Sequence, residues 1–502
     1  MTARHAVEWR LAPNKAWFEA RPLFQEGEAE TSNLYLSWAS AVMRVFGDGL
    51  MGARMLSVLP SLLCLPLVFV VARLMFTTPV ALIAAFLLAI SHWAAWTGRD
   101  GWDQVLMTAL QLSTIACLLY ALRAGTLLWS IVAGVVLGLC LFTYVASRLV
   151  FLQIAVWLLW EIVASPRRRR IAYQALLTLG IALLLAFPYF EYLATRSAGG
   201  FNVRVNELGI AGPQAWQTLL HNVIAHVLMF NVRGGTYARD NLPGWPMLDP
   251  VTGLLFLIGL VVAIRGSHRS GRLLITWYCV CVLGGILSVS REGPPYVYRV
   301  ANLAPWACVI ASVGAVAAWQ RIRRTPLPSS SAIVASALVL ALALAANVWI
   351  LFVRSPNCPD IPPAFGTVET QVGLWLAQHP GARPCYVYYE TLHSLDAHRG
   401  TLKYPETNSY NWYRPADSAT CIQLCSGLYK ESPKRALDPL AIRGDIDLVR
   451  RLPDHLSSPA TFVVPQSLIE DVKRFYVISE QTEIRDSLGR NLALVVRVRS
   501  RV

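Results

Sequence analysis

A chain of 502 residues that is 55% hydrophobic and only 15% charged, with a mean hydropathy of +0.46, is too apolar for a soluble protein of its size. Its net charge of +14 would suit nucleic acid if it were spread over one face. Instead Arg73, Arg123, Arg167–Arg170, Arg265, Arg269, Arg272, Arg321, Arg323 and Arg324 fall in alternate short loops without Asp or Glu, the positive-inside pattern of a membrane protein; nucleic acid is thereby excluded and membrane lipids are the expected partners.

Met1–Glu30 holds neither a signal peptide nor an apolar span. In Asn33–Phe46, Leu34, Trp38, Val42 and Val45 recur at helical spacing opposite Ser37 and Arg44, which predicts a helix lying on the membrane surface. About ten apolar runs follow, at Leu56–Val71, Val80–Trp96, Val105–Leu122, Leu127–Tyr144, Leu149–Val163, Ile171–Phe190, Val251–Ile264, Leu273–Val289, Asn302–Trp319 and Ala332–Val353. Two of these are short beside the roughly 20 residues that span a bilayer. The expected class is a polytopic α-helical membrane protein: an external loop and surface helix over 1–50, a transmembrane domain over 51–353 with an external loop at 191–249, and a soluble α/β domain over 354–502.

With the arginine-rich loops cytoplasmic, Asp100–Asp103, Ser147–Arg148, Glu191–Asp249, Arg291–Arg299 and the tail from Arg354 lie outside the cytoplasm. The expected location is a bacterial inner membrane. An even number of spans with the tail outside puts the N-terminus outside too. Either the count is off by one, or a helix that would precede Met1 is missing. Within the external loop, Trp216, Leu219, Leu220, Val223, Ile224, Val227 and Leu228 predict an amphipathic helix begun by Pro213. It would rest on the outer leaflet, with His221 and His226 as surface residues. In the tail, helices are expected at Val368–His379 and Ser467–Phe475, and strands at Cys385–Tyr389, Thr461–Val464 and Asn491–Val498. Six cysteines (Cys64, Cys117, Cys140, Cys279, Cys281, Cys308) sit in apolar runs as small core residues. Cys358, Cys385, Cys421 and Cys425 are compatible with two disulfides of open connectivity.

The candidate chemistry gathers in the outward loops. In Gly98-Arg99-Asp100-Gly101-Trp102-Asp103 the carboxylate of Asp103 opens a span. It reads either as a helix cap or as a group facing a phosphosugar, with Arg99 on the phosphate. Arg299, at the end of a Pro-Pro loop, reads either as a bidentate phosphate ligand or as a side chain snorkelling to the headgroups. Asn231–Asp249, which holds Arg239 and Asn241, is a Gly- and Pro-rich loop of functional make-up. Glu161 is expected to pair with the nearby Arg167–Arg170 run. Otherwise the spans read as clean.

Several stretches resemble the GT-C superfamily of membrane glycosyltransferases, specifically the bacterial family 39 enzymes, which include protein O-mannosyltransferases and the lipid A aminoarabinose transferase. NLYLSWASAVMRVFGDGLMGARMLSVLPSLL is similar to their surface helix and the arginine, here Arg54, that begins the next span. ISHWAAWTGRDGWDQVLMTAL is similar to their Arg…Asp loop, matching Arg99 and Asp103. LFTYVASRLV gives Tyr144 and Arg148, and the NVRGGTYARDNLPGWPMLD and GPPYVYRVANLAPW loops also match. The resemblance spans roughly Pro22 to Trp319. It implies inverting transfer of a sugar from a polyprenyl-phosphate lipid to a glycan, lipid or protein acceptor. A carboxylate would take the acceptor proton, and Arg99, Arg148 and Arg299 would stabilise the departing phosphate. Asp103 and Asp100 are the candidate catalytic residues, with Tyr144, Arg239 and Asn241 in substrate binding. The chemistry demands no metal, although a divalent cation bridging the substrates is compatible with it. The family's acidic motif in the first external loop has no secure counterpart in Glu26, Glu28 or Glu30, so its catalytic base is not carried over. Alternative readings are a lipid-linked sugar transporter or flippase, and a catalytically silent lipid-binding relative.

Overall fold

The computed structural model describes residues 20–21, 31–47, 50–195, 210, 214–265, 269–289, 293–324, 329–361, 371–372, 374–375, 378–379, 385–388, 446–449, 459–485, 489 and 491–501. Glu26, Glu28, Glu30, Pro213, Arg291, Glu292, Tyr389, Cys421 and Cys425 lie outside the described residues, as does much of the expected helix Val368–His379. The described residues divide into two compact units, one drawn from 13–41 and 54–357 and the other from 1–12, 42–53 and 358–502.

Every apolar run forms helix. After α1 (Asn33–Phe46) come α2 (Leu50–Met75), α3 (Thr78–Ile90), α4 (His92–Thr97), α5 (Gln104–Ala124), α6 (Leu127–Cys140), α7 (Ser147–Ala164) and α8 (Arg168–Thr195). The helix of the external loop is α9 (Ala215–Leu228). Then follow α10 (Pro250–Arg265), α11 (Arg269–Cys281), α12 (Leu283–Ile286), α13 (Leu303–Ile322) and α14 (Ser329–Trp349), the last running into a π turn at Ile350–Arg354. Six of these (α2, α5, α7, α8, α13 and α14) are long and apolar enough to cross a membrane, and α3, α6 and α10 are shorter apolar helices. Large apolar side chains stand outward from them, such as Leu159 at 61% and Leu184 at 75% exposure. Water would penalise that surface and lipid would not. The chain is a multi-pass membrane protein.

Two expected spans are broken, one with a clear local cause. Val80–Trp96 divides at Ser91, whose hydroxyl accepts from the Ala94 N–H at 3.3 Å and so restarts the helix as a cap. Leu273–Val289 divides at Val282. Leu127–Tyr144 ends early, at Cys140, leaving Tyr144 in a turn rather than a helix. The amphipathic face of α1 also differs from expectation: Tyr35 and Ala39 are buried, and Val45 is 77% exposed.

Inside the helical unit, α10 and α13 touch backbone to backbone at Gly259 and Gly314. A Cβ at Gly259 would stand 1.9 Å from the Ile310 carbonyl oxygen, and one at Gly314 1.9 Å from that of Leu255, so only glycine admits this crossing. The spans are less clean than their sequence suggests. Gln111 donates to Gln153 Oε1 at 3.3 Å and to Cys281 Sγ at 3.4 Å, and Asn302 donates to Gln111 Oε1 at 3.0 Å. Glu161 does not pair with the Arg167–Arg170 run. Fully buried, it accepts from Arg269 Nε and Arg272 Nε, each at 2.8 Å, and so ties α7 to α11.

The helical unit also carries the two-residue strands β1 (Ala20–Arg21) and β2 (Thr31–Ser32). The other unit is built from β3 (Cys385–Tyr388), β4 (Ile446–Val449), β5 (Ala460–Val464), β6 (Tyr476–Arg485) and β7 (Asn491–Arg501), with α15 (Ile469–Phe475) against them. These five strands form one mixed sheet in the order β4-β3-β5-β7-β6. β3 runs parallel to β4 and β5; β7 is antiparallel to β5 and β6. Phe462, Val464, Val472, Tyr476 and Val496 form its core.

Candidate active site

The candidate residues meet at one end of the helices. The loop Gly98–Asp103 joins α4 to α5. It turns at Gly101, whose φ of +70° suits glycine. Two side chains from neighbouring helices hold it: the Tyr35 hydroxyl donates to the Gly101 carbonyl at 2.8 Å, and Ser57 donates to that of Trp102 at 3.0 Å. With the backbone fixed, Arg99 lies over the Trp96 ring at 4.5 Å. Asp100 and Asp103 are both half-buried.

The second wall is the Asn231–Asp249 loop. It closes on itself through Gly234 N–H to Trp245 O at 3.1 Å and Gly244 N–H to Gly235 O at 2.9 Å. Asn241 donates to those same two carbonyls, at 2.6 Å to Trp245 and 3.3 Å to Gly235. Its amide therefore shapes the loop. The loop is pinned to α4 by Trp96 Nε1, which donates to Arg239 O at 2.7 Å. Arg239 itself pairs with the buried Asp240 at 2.9 Å and lies 4.0 Å over Trp102, 4.9 Å over Tyr237 and 5.7 Å over Tyr298.

The third wall is the 3₁₀ turn Val297–Val300. Arg299 is 8% exposed, so it does not snorkel to headgroups. It donates to the Tyr298 hydroxyl at 2.7 Å and lies over Tyr296 and Tyr298 at 5.3 and 5.2 Å. This turn is fastened to α9 by His226, which accepts from the Tyr296 N–H at 3.2 Å and bonds Asn222 O through Nδ1 at 2.7 Å. His226 is fully buried rather than on the surface. The apolar face of α9 points the other way, with Trp216 at 71% and Val227 at 56% exposure.

Burial strips water from the carboxyls and dominates their titration. It pushes Asp103 up to about 7, against the pull of the Asp103 and Gln104 backbone N–H groups. Asp103 makes no side-chain capping bond to α5. Asp100 stands well above the usual carboxylate range, through burial and the neighbouring Asp240, with Arg239, Arg99 and Arg54 opposing. Its Oδ1 is buried with no hydrogen-bond partner among the described residues. Burial works against the Arg239 charge, but Asp240 and other anionic neighbours, Asp100 among them, more than offset it and the guanidinium is held firmly protonated. Tyr144 is raised by burial and feels the charges of Arg299 and Asp103.

Arg99, Asp100, Asp103, Tyr144, Arg239 and Arg299 therefore share one electrostatic neighbourhood. Arg148 donates to the Tyr189 hydroxyl at 2.9 Å, beside the cluster of Leu141, Phe142 and Ala186. Asp240, Trp102, Tyr237 and Tyr298 join the site without having been expected from the sequence. Adjacency to Arg239 and Arg299 was the available signal for Asp240 and Tyr298. Among the described residues, no three His, Cys, Asp or Glu side chains gather as a metal site.

Residues 34–190 match the model of a family described as dolichyl-phosphate-mannose-protein mannosyltransferase. No curated protein matches the chain. Similar solved structures include ArnT from Cupriavidus metallidurans in the apo state, 13% identical, covering 99% of this chain and 93% of that one at a TM-score of 0.49. They also include the apo oligosaccharyltransferase of Archaeoglobus fulgidus, 13% identical, covering 84% of this chain and 59% of that one at a TM-score of 0.49. The archaeal oligosaccharyltransferase AglB from Archaeoglobus fulgidus, in complex with an inhibitory peptide and a dolichol-phosphate, is 12% identical and covers 85% of this chain and 59% of that one at a TM-score of 0.46.

Proposed function

We propose that this chain is a GT-C-type membrane glycosyltransferase that moves a sugar from a polyprenyl-phosphate lipid to an acceptor hydroxyl on the outer face of a bacterial inner membrane. The observation that carries the reading is that the Arg99–Asp103 loop, centre of the carboxylate–guanidinium cluster, lies within the segment matching a mannosyltransferase family. A carboxyl titrating near neutrality is suited to general-base work. Asp103 takes the acceptor proton as the acceptor oxygen bonds to the anomeric carbon. The bond from that carbon to phosphate oxygen breaks, its electrons stay on the phosphate, and the configuration inverts. Arg299 and Arg99 receive the growing phosphate charge. Were a divalent cation recruited, Asp100, whose buried Oδ1 has no hydrogen-bond partner among the described residues, would be the residue to hold it, and the cation would supply charge neutralisation to the phosphate.

The test is transfer in membranes containing the full chain, supplied with radiolabelled polyprenyl-phosphate sugar. Label is expected to leave the polyprenyl fraction with wild type, and about 10²–10⁴-fold more slowly with Asp103→Asn. Unchanged transfer in that variant removes Asp103 from the chemistry.

A further inference from the structure

The far ends of α2, α5, α7 and α11 enclose a second polar feature that the transfer reading does not use. It is a cavity of about 400 Å³ lined by Arg123, Arg269, Arg272, Ser270, Met75 and Leu119, among others. Asp103 and Arg123 lie at opposite ends of the 21-residue helix α5. At about 1.5 Å per residue, that puts the cavity roughly 30 Å from the candidate active site, near the opposite membrane face.

Three guanidinium groups converge there against one carboxylate. Loop charge alone explains arginines on this side, but not their fixed directions. Glu161 is fully buried and engages Arg269 and Arg272 through Nε only, at 2.8 Å each. Among the described residues, neither side chain makes a hydrogen bond through its Nη groups. Arg123 is held by the Leu74 carbonyl, and Ser270 by that of Met75 at 2.9 Å. The pocket thus keeps a surplus of two positive charges, its donors prepositioned by a carboxylate and two backbone carbonyls. Leu119 and Met75 form an apolar margin.

We propose that this cavity is a binding site for a phosphate group, independent of the transfer site. Planar guanidinium forks suit phosphate oxygens, and basic pockets between membrane helices suit anionic headgroups. The phosphate can come from an anionic phospholipid or from free phosphate in solution.

The experiment uses the purified full chain in detergent, delipidated, with binding of phosphatidylglycerol, phosphatidylcholine and inorganic phosphate measured by native mass spectrometry and titration. Arg123→Gln and Arg272→Gln are the variants; Glu161 pairs with Arg269 and Arg272, so loss of Arg123 leaves the α7–α11 tie intact. Phosphatidylglycerol bound in preference to phosphatidylcholine, and weakened about tenfold by each variant, supports the site with a lipid source. Inorganic phosphate bound and weakened by the same variants supports it with a free source. Equal retention of the two lipids without phosphate binding, or binding unchanged in both variants, overturns it.

Discussion

Asp103 and His226 carry opposite pH signatures. The Asp103 carboxyl, raised by burial to about 7, binds a proton in the folded protein that the unfolded chain has released by about pH 4. Its burial therefore lowers stability as pH rises from about 4 to about 7. In Asp103→Asn this loss disappears. Thermal unfolding followed by tryptophan fluorescence at about pH 8 is expected to show a variant at least as stable as wild type while transfer is lost. A residue that merely capped α5 would accept Asn at little cost, since Asn caps helices as well as Asp, and transfer would survive. Loss of the base also removes the rise of kcat/KM centred near pH 7. His226 is lowered by burial to about 4, so the unfolded chain binds the extra proton first and stability falls as pH drops from about 6.5 towards 4. His226→Ala leaves the Tyr296 N–H without its acceptor, at a cost of about 1–3 kcal/mol. The variant is expected to lose the acid limb of the unfolding profile and to bind the donor more weakly, because the turn bearing Arg299 loses its tie to α9.

At the scale of elements, helix existence was legible because long apolar runs have no other stable form in lipid. Helix ends were not. Ser91 and the turn after Cys140 depend on single capping and turn residues inside apolar sequence, which hydropathy averages away. In the sheet, β5 is buried along its whole length and was readable as an apolar run. The edge strand β6, YVISEQTEIR, is mostly exposed, so it shows no alternation and escaped notice. Gly259 and Gly314 looked like ordinary span glycines; only the α10–α13 approach reveals their role. Gly314→Val places side-chain atoms against the Leu255 carbonyl, so the helices must part. A loss of about 2 kcal/mol or more is expected as a lowered unfolding midpoint. Gly314→Ala is expected to lower it too, because a Cβ alone already meets that carbonyl.

For the molecule as a whole, charge asymmetry was the most informative feature of the sequence, since it needs no knowledge of packing. It grouped the Gly98–Asp103, Asn231–Asp249 and Val297–Val300 segments, whose side chains do meet. It did not reveal which side chains within those loops would meet. Arg239 and Asp240 are sequence neighbours, but Trp102, Tyr298 and Arg239 come together only through three separate loops. Nor did it foresee Glu161 reaching past the adjacent arginine run to Arg269 and Arg272. The orientation is checked by single cysteines in a background without reactive thiols. A cysteine replacing Arg233 is expected to react with an impermeant maleimide from outside, and one replacing Arg168 only after permeabilisation; the reverse pattern inverts the topology.

The most direct measurement is the fate of the lipid donor in proteoliposomes holding the purified full chain. Polyprenyl-phosphate sugar is added with a membrane acceptor extract, and the released polyprenyl phosphate and the anomeric configuration of the product are determined by mass spectrometry and NMR. The expected result is stoichiometric release of polyprenyl phosphate with inverted configuration, dependent on Asp103. Intact donor crossing the bilayer without cleavage would contradict the account.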